Sequence, residues 1–288
     1  MMAGTLEVEK PATGNICSGC VGSLPGSVWW ESSQARLLRC SKCGLIFLDS
    51  NCALARQTVA YDRTYYERYY FRHRAVRERF FAQWAQRLSE LHPPGRLLDV
   101  GCGAGFFLTA AKQLGWQVAG VEPSAGAAAV RDPTIEVHVG GLESLNDRTP
   151  SFDLITFWDV LAHVDDPFAT LQSATRLLAR GGLVLIKTPN RSTSFQRFGR
   201  LLRFIRGTRA WFHLPAQRSH FNRTSLEAML VRAGLQVVST FEIDEPVHPR
   251  VREVLAAPKV SLFVLLNALL RISGWRESLI VIAKSGAV

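Results

Sequence analysis

No apolar run in this chain reaches the ~18 residues a helix needs to cross a bilayer. The stretch from Met1 to Gly14 also lacks the charged-then-apolar order of a secretion signal. Cytoplasmic residence is the expectation, and there the six cysteines are expected as thiols or metal ligands rather than disulfides. Acidic residues are scarce, 24 against 34 Lys and Arg, which leaves a net charge of +10. That surplus suits an anionic partner (nucleic acid, a phosphorylated molecule, a membrane surface) or an arginine-solvated surface. What is present, 288 residues with 47% hydrophobic and 20% charged content, describes a globular protein. Its length allows one full α/β domain and a small appendage.

Leu97-Leu98-Asp99-Val100 runs into Gly101-Cys102-Gly103-Ala104-Gly105, and a helix-like stretch follows from Phe107 to Leu114. A buried parallel strand ending in a turn without side chains lets a ligand come close to the backbone. The order is D-x-G-x-G-x-G, so the dinucleotide fingerprint G-x-G-x-x-G is not met. Glu122 ends the next apolar run, Trp116 to Val121. A carboxylate at a second-strand tip, about 20 residues past the turn, can accept both hydroxyls of an adenosine ribose. A doubly wound domain that has lost its ligand is the competing account.

LLDVGCGAGFF followed by VAGVEPS resembles motif I and the post-I acid of class I S-adenosylmethionine-dependent methyltransferases. The resemblance implies an α/β fold with a Rossmann-like seven-stranded sheet and S-adenosyl-L-methionine as cofactor. It places Asp99, Gly101, Cys102, Gly103, Gly105, Glu122 and Pro123 around that cofactor.

Upstream stand two CxxC knuckles, Cys17-Ser18-Gly19-Cys20 and Cys40-Ser41-Lys42-Cys43, with 19 residues between them. Four thiolates so spaced can close a tetrahedron around Zn2+, and a site filled by protein ligands is structural. Val28-Trp29-Trp30 and Leu37-Leu38-Arg39 read as strands of a zinc ribbon occupying residues 1–60, with Cys52 an ordinary core residue.

Residues 61–95 form an aromatic, basic linker. Val76, Phe80, Trp84, Leu88 and Leu91 recur at helical spacing among Arg72, Arg74, Arg77 and Arg79, before His92-Pro93-Pro94-Gly95 breaks the helix. The plain account is an amphipathic helix with a solvated arginine face. The resembled group carries a Y-x-x-x-YY segment here, which implies Tyr66, with Tyr65, as a cap on the cofactor.

From 96 onward apolar runs alternate with helical ones, as in a parallel sheet covered on both faces. Ala125 to Val130 reads as a helix and Ile135 to Val139 as a strand, and the resemblance implies Leu142 against the adenine. FDLITFWDVLAHVDDP (152–167) resembles the fourth-strand segment of small-molecule methyltransferases akin to ubiquinone-biosynthesis O-methyltransferases and deoxysugar methyltransferases. It implies Trp158 and Asp159 beside the methionine end of the cofactor. Of the Glu-x-x-Glu-His set that binds a divalent ion in some relatives, only Asp159 and His163 remain, because Ala162 replaces a Glu. No catalytic metal is expected. His163 is a general-base candidate, since an imidazole can accept a proton at neutral pH, or a hydrogen-bonded helix-start histidine. A helix from Phe168 to Leu178, a turn at Arg180-Gly181-Gly182 and a fifth strand ending in Thr188-Pro189-Asn190 complete this part.

A basic amphipathic insertion at about 191–222 reads as a lid, or as a foot on an anionic bilayer. PAQRSHFN (215–222) resembles the group's P-x-H-x-x-HFS loop, which makes His220 a second base candidate and His213 a weaker one. A capped helix from Thr224 to Ala233, a sixth strand at 234–238 and a last strand at 278–283 follow, and the resemblance implies that this last strand is antiparallel. Val260 to Leu270, apolar on every side, suits burial or a homodimer contact. The leading expectation is O- or C-methylation of a small molecule, anionic or lipid-linked: a sugar nucleotide, glycolipid or quinone-like metabolite. An rRNA or tRNA methyltransferase and a non-catalytic zinc adaptor are its rivals. Trp158-Asp159-Val160-Leu161 is not the (N/D)PP(Y/F) turn of base-amine methylation, which argues against nucleic acid as partner.

Overall fold

The computed structural model describes residues 16–20, 26–57, 59, 61–124, 127, 132–145, 151–192, 212–244 and 276–286. Strands β1 (Ser27–Glu31), β2 (Arg36–Arg39) and β3 (Ile46–Leu48) form an antiparallel sheet beside the cysteines. Gly44 makes the tight return into β3 at φ +74°, a conformation open to glycine and costly to other residues. Its amide donates to the Cys40 carbonyl at 3.0 Å.

Short helical turns from Arg63 to His73 lead into helix α1 (Arg74–Leu91). Phe81, Trp84, Ala85 and Leu88, at i, i+3, i+4 and i+7, are its buried stripe. Leu91, expected in that stripe, instead ends the helix exposed.

The second sheet has seven strands: β4 (Arg96–Val100), β5 (Gln117–Glu122), β6 (Glu136–Val139), β7 (Phe152–Trp158), β8 (Leu178–Pro189), β10 (Leu235–Ile243) and β11 (Ser278–Ser285). Their order is β10-β11-β8-β7-β4-β5-β6. The pairs from β8 to β6 are parallel, while β11 runs antiparallel to both β8 and β10. The Rossmann-like seven-stranded expectation therefore holds, including the reversed last strand. Two helices cover this sheet near the site, α2 (Phe106–Gln113) and α3 (Pro167–Leu177). Helix α3 starts sharply because Asp166 accepts the amides of Phe168 and Ala169 at 3.0 Å, with Pro167 in the first turn. Its successor β8 begins at Leu178, two residues before the expected turn; Gly181 at φ +79° lies where the strand shifts its register against β7.

The chain lays β5 and β6 on one side of β4, then returns to place β7 on the other. That reversal opens a crevice at the carboxyl ends of β4 and β7, where ligands of open α/β sheets bind.

The cysteine-bearing sheet is not closed by its own segment. A short strand β9 (Ser219–His220), from beyond β8, pairs with β3 so that Ile46 faces His220. Asn222 caps helix α4 (Arg223–Arg232) and donates its Nδ2 to the Gly44 carbonyl at 3.3 Å, while Arg232 donates to the Ser18 carbonyl at 2.7 Å. Cys17, Cys20, Cys40 and Cys43 share one hydrophobic core with Leu98, Phe157 and Phe221. Among the described residues no helix is long and apolar enough to cross a membrane. The helix expected at 125–130 (apart from 127), the body of the lid at 193–211 and the apolar stretch 260–270 lie outside the described residues.

Candidate functional site

The crevice holds a cavity of about 780 Å³. One wall is the glycine turn. Gly101, Gly103 and Gly105 sit at φ +68°, +52° and +75°, so the turn depends on residues without Cβ. A Cβ at Gly101 would stand 2.5 Å from Val160 Cγ2, and one at Gly103 would stand 3.3 Å from the Tyr66 ring. Gly101, Gly103 and Tyr66 line the cavity. Asp99, Cys102 and Gly105, also expected around a cofactor, lie behind this wall rather than on it. Asp99 is fully enclosed; burial pushes its carboxyl up to about 8 despite the hydrogen bond that Thr156 donates at 2.7 Å.

Glu122, at the tip of β5, is buried and reaches the cavity. One carboxylate oxygen accepts the Gly103 amide and the other the Ser124 amide, both at 2.9 Å. The carboxylate is thus pinned to the glycine turn on one side and to the post-strand turn on the other. The Ser124 hydroxyl in turn donates to the Tyr61 carbonyl. Pro123, Gly140, Gly141, Leu142 and Glu143 continue the wall, and the Glu143 carboxylate accepts the Gly141 amide at 3.1 Å.

The opposite wall is aromatic. Trp158 packs against Phe107 at 5.0 Å and Phe81 at 5.2 Å between centroids, with Phe80 and Trp84 beyond. Arg77 from α1 lies over the Tyr70 ring at 4.3 Å. Both the Trp158 Nε1 and the Arg77 Nε are buried and without a hydrogen-bond partner. Two such N–H donors on a cavity wall call for an acceptor on whatever fills it.

At the β7 tip, Asp159 adopts φ +60°, unusual for a residue with a side chain. It lines the cavity with His163 and Lys187. The His163 Nδ1 lies 2.9 Å from the Tyr61 hydroxyl, and the imidazole also hydrogen-bonds the Ala216 backbone. Burial holds His163 below the usual histidine value, partly offset by Asp159.

His220, the other base candidate, does not line the cavity. Its ring is almost completely buried, 4.8 Å from Phe212 with both nitrogens unpartnered, because pairing with β3 turns it inward. Burial drives its pKa well down, and the geometry removes it from the base role proposed for it from sequence. His213 is also buried and held down to about 4, chiefly by burial.

The four knuckle cysteines form a second, closed site, their ligand atoms all within 4.8 Å of one another. Sγ separations are 3.6 Å for Cys17–Cys43, 3.6 Å for Cys20–Cys40 and 4.0 Å for Cys17–Cys20. The Gly19 amide points at the Cys17 sulfur at 3.3 Å. The thiols share protons unequally: the hydrogen bond from Cys43 holds Cys17 down to about 5, while burial pushes Cys20 up to about 11.

Sequence reasoning did not find Tyr61, Lys187 or Arg77 as parts of the site. Lys187 carried a signal, a lone charge ending the apolar run Leu183-Val184-Leu185-Ile186. Tyr61 carried one too, as the first tyrosine of the Y-x-x-x-YY segment, while Arg77 carried none beyond a basic composition.

Known proteins share part of this sequence and its fold. Ubiquinone biosynthesis O-methyltransferase of Paracidovorax citrulli is 34% identical over 106 residues, 34% of this chain and 44% of that protein. Its counterpart in Alkalilimnicola ehrlichii is 33% identical over 155 residues, 49% of this chain and 62% of that protein. The chain thus spans less than two thirds of these relatives' length. Two solved structures share the fold: a SAM-dependent methyltransferase from Archaeoglobus fulgidus (TM-score 0.54, 17% identity, 76% of this chain, all of that one) and one from Thermotoga maritima (0.51, 21%, 77% and 97%). Residues 70–240 match the profile described as Methyltransferase domain, and with more than half its length so matched, the chain belongs to that family.

Proposed function

We propose that this protein transfers a methyl group from S-adenosyl-L-methionine to a small molecule, with an oxygen acceptor favoured. The observation that carries the reading is Glu122: a buried carboxylate at a strand tip, fixed by two backbone amides on the cavity wall. Its two oxygens would accept the two ribose hydroxyls, one each. The other walls fit the same ligand. Gly140, Gly141 and Leu142 line the part of the cavity left for adenine. Trp158 Nε1 and Arg77 Nε offer donors to the amino-acid carboxylate, and Tyr66 covers the glycine turn. Asp159 offers its carboxylate to the ammonium.

When bound, the donor supplies an activated methyl on a sulfonium, so the chemistry is an in-line displacement. The protein's task is to hold the acceptor at near-attack distance, worth ~7–11 kcal/mol of the barrier. His163 is the base available on the cavity wall. The relatives named for O-methylation in ubiquinone biosynthesis favour an oxygen acceptor of quinone-like kind over the sugar nucleotide and glycolipid alternatives. Cytoplasmic residence belongs to the same reading.

The cysteine site fits structural Zn2+. A tetrahedron with Zn–S of ~2.3 Å has sulfur–sulfur edges of ~3.8 Å, which the observed separations bracket.

Calorimetric titration with S-adenosylmethionine tests the donor site. Glu122→Ala should weaken binding at least ~100-fold, because two hydrogen bonds to a charged group are worth ~1.5–3 kcal/mol each. Unchanged affinity in that variant would contradict the assignment.

A further inference from the structure

Tyr61 and His163 come from stretches 102 residues apart, yet their polar atoms meet at 2.9 Å on the cavity wall. Each is fixed from behind. The Tyr61 carbonyl accepts from Ser124, whose amide donates to Glu122, so the tyrosine is tied to the ribose clamp. His163 is held by its own backbone, its amide donating to the Val160 carbonyl at 2.8 Å, and by the bond between its ring and Ala216. The neighbouring Ala162 carbonyl accepts the amides of Arg218 and Ser219, which anchors that loop to the segment before α4. For Tyr61 to donate to this ring, Nδ1 must carry the lone pair and Nε2 the proton.

Resting on the methyltransferase reading above, we propose that Tyr61 and His163 act as one proton-accepting pair for a hydroxyl acceptor. The acceptor O–H donates to the Tyr61 oxygen. As the acceptor oxygen bonds to the methyl carbon, the carbon–sulfur bond breaks and its electron pair stays on sulfur. The acceptor proton passes to the Tyr61 oxygen while the Tyr61 proton passes to His163 Nδ1. The products are a methyl ether, a neutral thioether and an imidazolium, which returns its proton to solvent.

The surroundings match this division of labour. Burial pushes the Tyr61 hydroxyl up to about 12, so the tyrosine is a conduit and not a standing phenolate. His163 rests neutral, and Asp159 stabilises the imidazolium that forms. Asp159 is held by Lys187 on β8; Asp165, on the same turn as His163, is paired with Arg218 at 3.0 Å. Behind His163 lie His213 and His220, both held low enough to be neutral by burial and by Arg191 beside them. The acceptor class that follows is a hydroxyl flanked by an apolar body, received between the tyrosines and the Trp158 wall.

The test uses the full-length protein with S-adenosylhomocysteine and isotope-labelled histidine in nuclear magnetic resonance. His163 Nδ1 should be unprotonated, and its resonance should move in Tyr61→Phe. A proton on Nδ1 would overturn the proposal, since the ring would then donate to Tyr61. With catechol as the hydroxyl probe, Tyr61→Phe and His163→Gln should each lower kcat about 100- to 10,000-fold. The double variant should be no slower than the slower single, because the two act as one unit. Independent, multiplying losses, or a Tyr61→Phe enzyme as fast as the parent, would also overturn it. Titration with S-adenosylmethionine separates the two levels. A parent that does not bind the donor sinks the methyltransferase reading itself, whereas intact binding with a protonated Nδ1 sinks the pair alone.

Discussion

Lys187 holds Asp159 at two points: its Nζ lies 2.6 Å from Asp159 Oδ2, and its carbonyl accepts the Asp159 amide at 2.9 Å. One strand residue thus fixes a loop residue that carries left-handed backbone at φ +60°. The lysine is buried and the aspartate side chain is 41% exposed, and this asymmetry sets the mutational order. Lys187→Met leaves a carboxylate that water can still reach, so it should cost less than ~1 kcal/mol of stability. Asp159→Ala takes the carboxylate from a buried ammonium and keeps the strained φ, so ~2–4 kcal/mol is expected after allowing for the exposure of the aspartate. Asp159→Gly should lie about 1 kcal/mol closer to the parent, because glycine accepts that φ freely. Urea denaturation of the three variants checks the order; Asp159→Gly falling below Asp159→Ala would refute the strain argument.

A second prediction concerns pH. Asp99 is enclosed beneath the glycine turn, and burial lifts its carboxyl to about 8 against ~3.9 in an unfolded chain. Between these values the folded protein holds a proton that the unfolded chain has released. Folding stability contributed here is full below about pH 4 and is lost as pH rises toward 8. Asp99→Asn removes this dependence while its amide oxygen still accepts from Thr156. The variant should gain stability over the parent as pH increases, with almost no difference near pH 4. Melting temperatures of both proteins across that range decide it, and two parallel curves would count against an enclosed, protonated Asp99.

How much of this is legible in the sequence depends on how local each feature is. The glycine turn and Glu122 can be read directly, because backbone conformation and strand-tip position are written within a few residues. The cysteine pairs are equally local, and the seven strands follow from apolar runs between turns. The closure of the first sheet is not local: β9 lies far beyond β3 in the chain, with β4 to β8 between them, and that pairing buries His220. A loop pattern alone left His220 beside the substrate. Tyr61 is missed for the same reason, since its partner His163 is brought to it only by assembly of the large sheet. Lys187 shows itself as an oddity in an apolar strand, but its partner Asp159 emerges only from the parallel pairing of β7 with β8.

The last prediction follows from the shared core of the two sheets. Cys17, Cys20, Cys40 and Cys43 pack with Leu98 and Phe157 of the large sheet, and the Gly44 carbonyl between the second knuckle and β3 accepts Asn222. A module hung on a linker would melt separately when its metal is stripped. This one should not, because the knuckles and the start of α4 are welded together through Asn222 and Arg232. Mass spectrometry of the native protein should find one zinc per chain. Chelation, or Cys43→Ala, should lower the single melting transition of the whole protein. Loss of ~3 kcal/mol corresponds to ~6–12 °C for a domain of this size. Tryptophan fluorescence, read in a Trp29→Phe, Trp30→Phe variant so that it follows the core around Trp84 and Trp158 and not the cysteine-bearing sheet, should move with the same midpoint as the thiols become reactive. Thiol exposure at a temperature where that fluorescence is unchanged would show that the cysteine site is an independent unit and not part of the methyltransferase core.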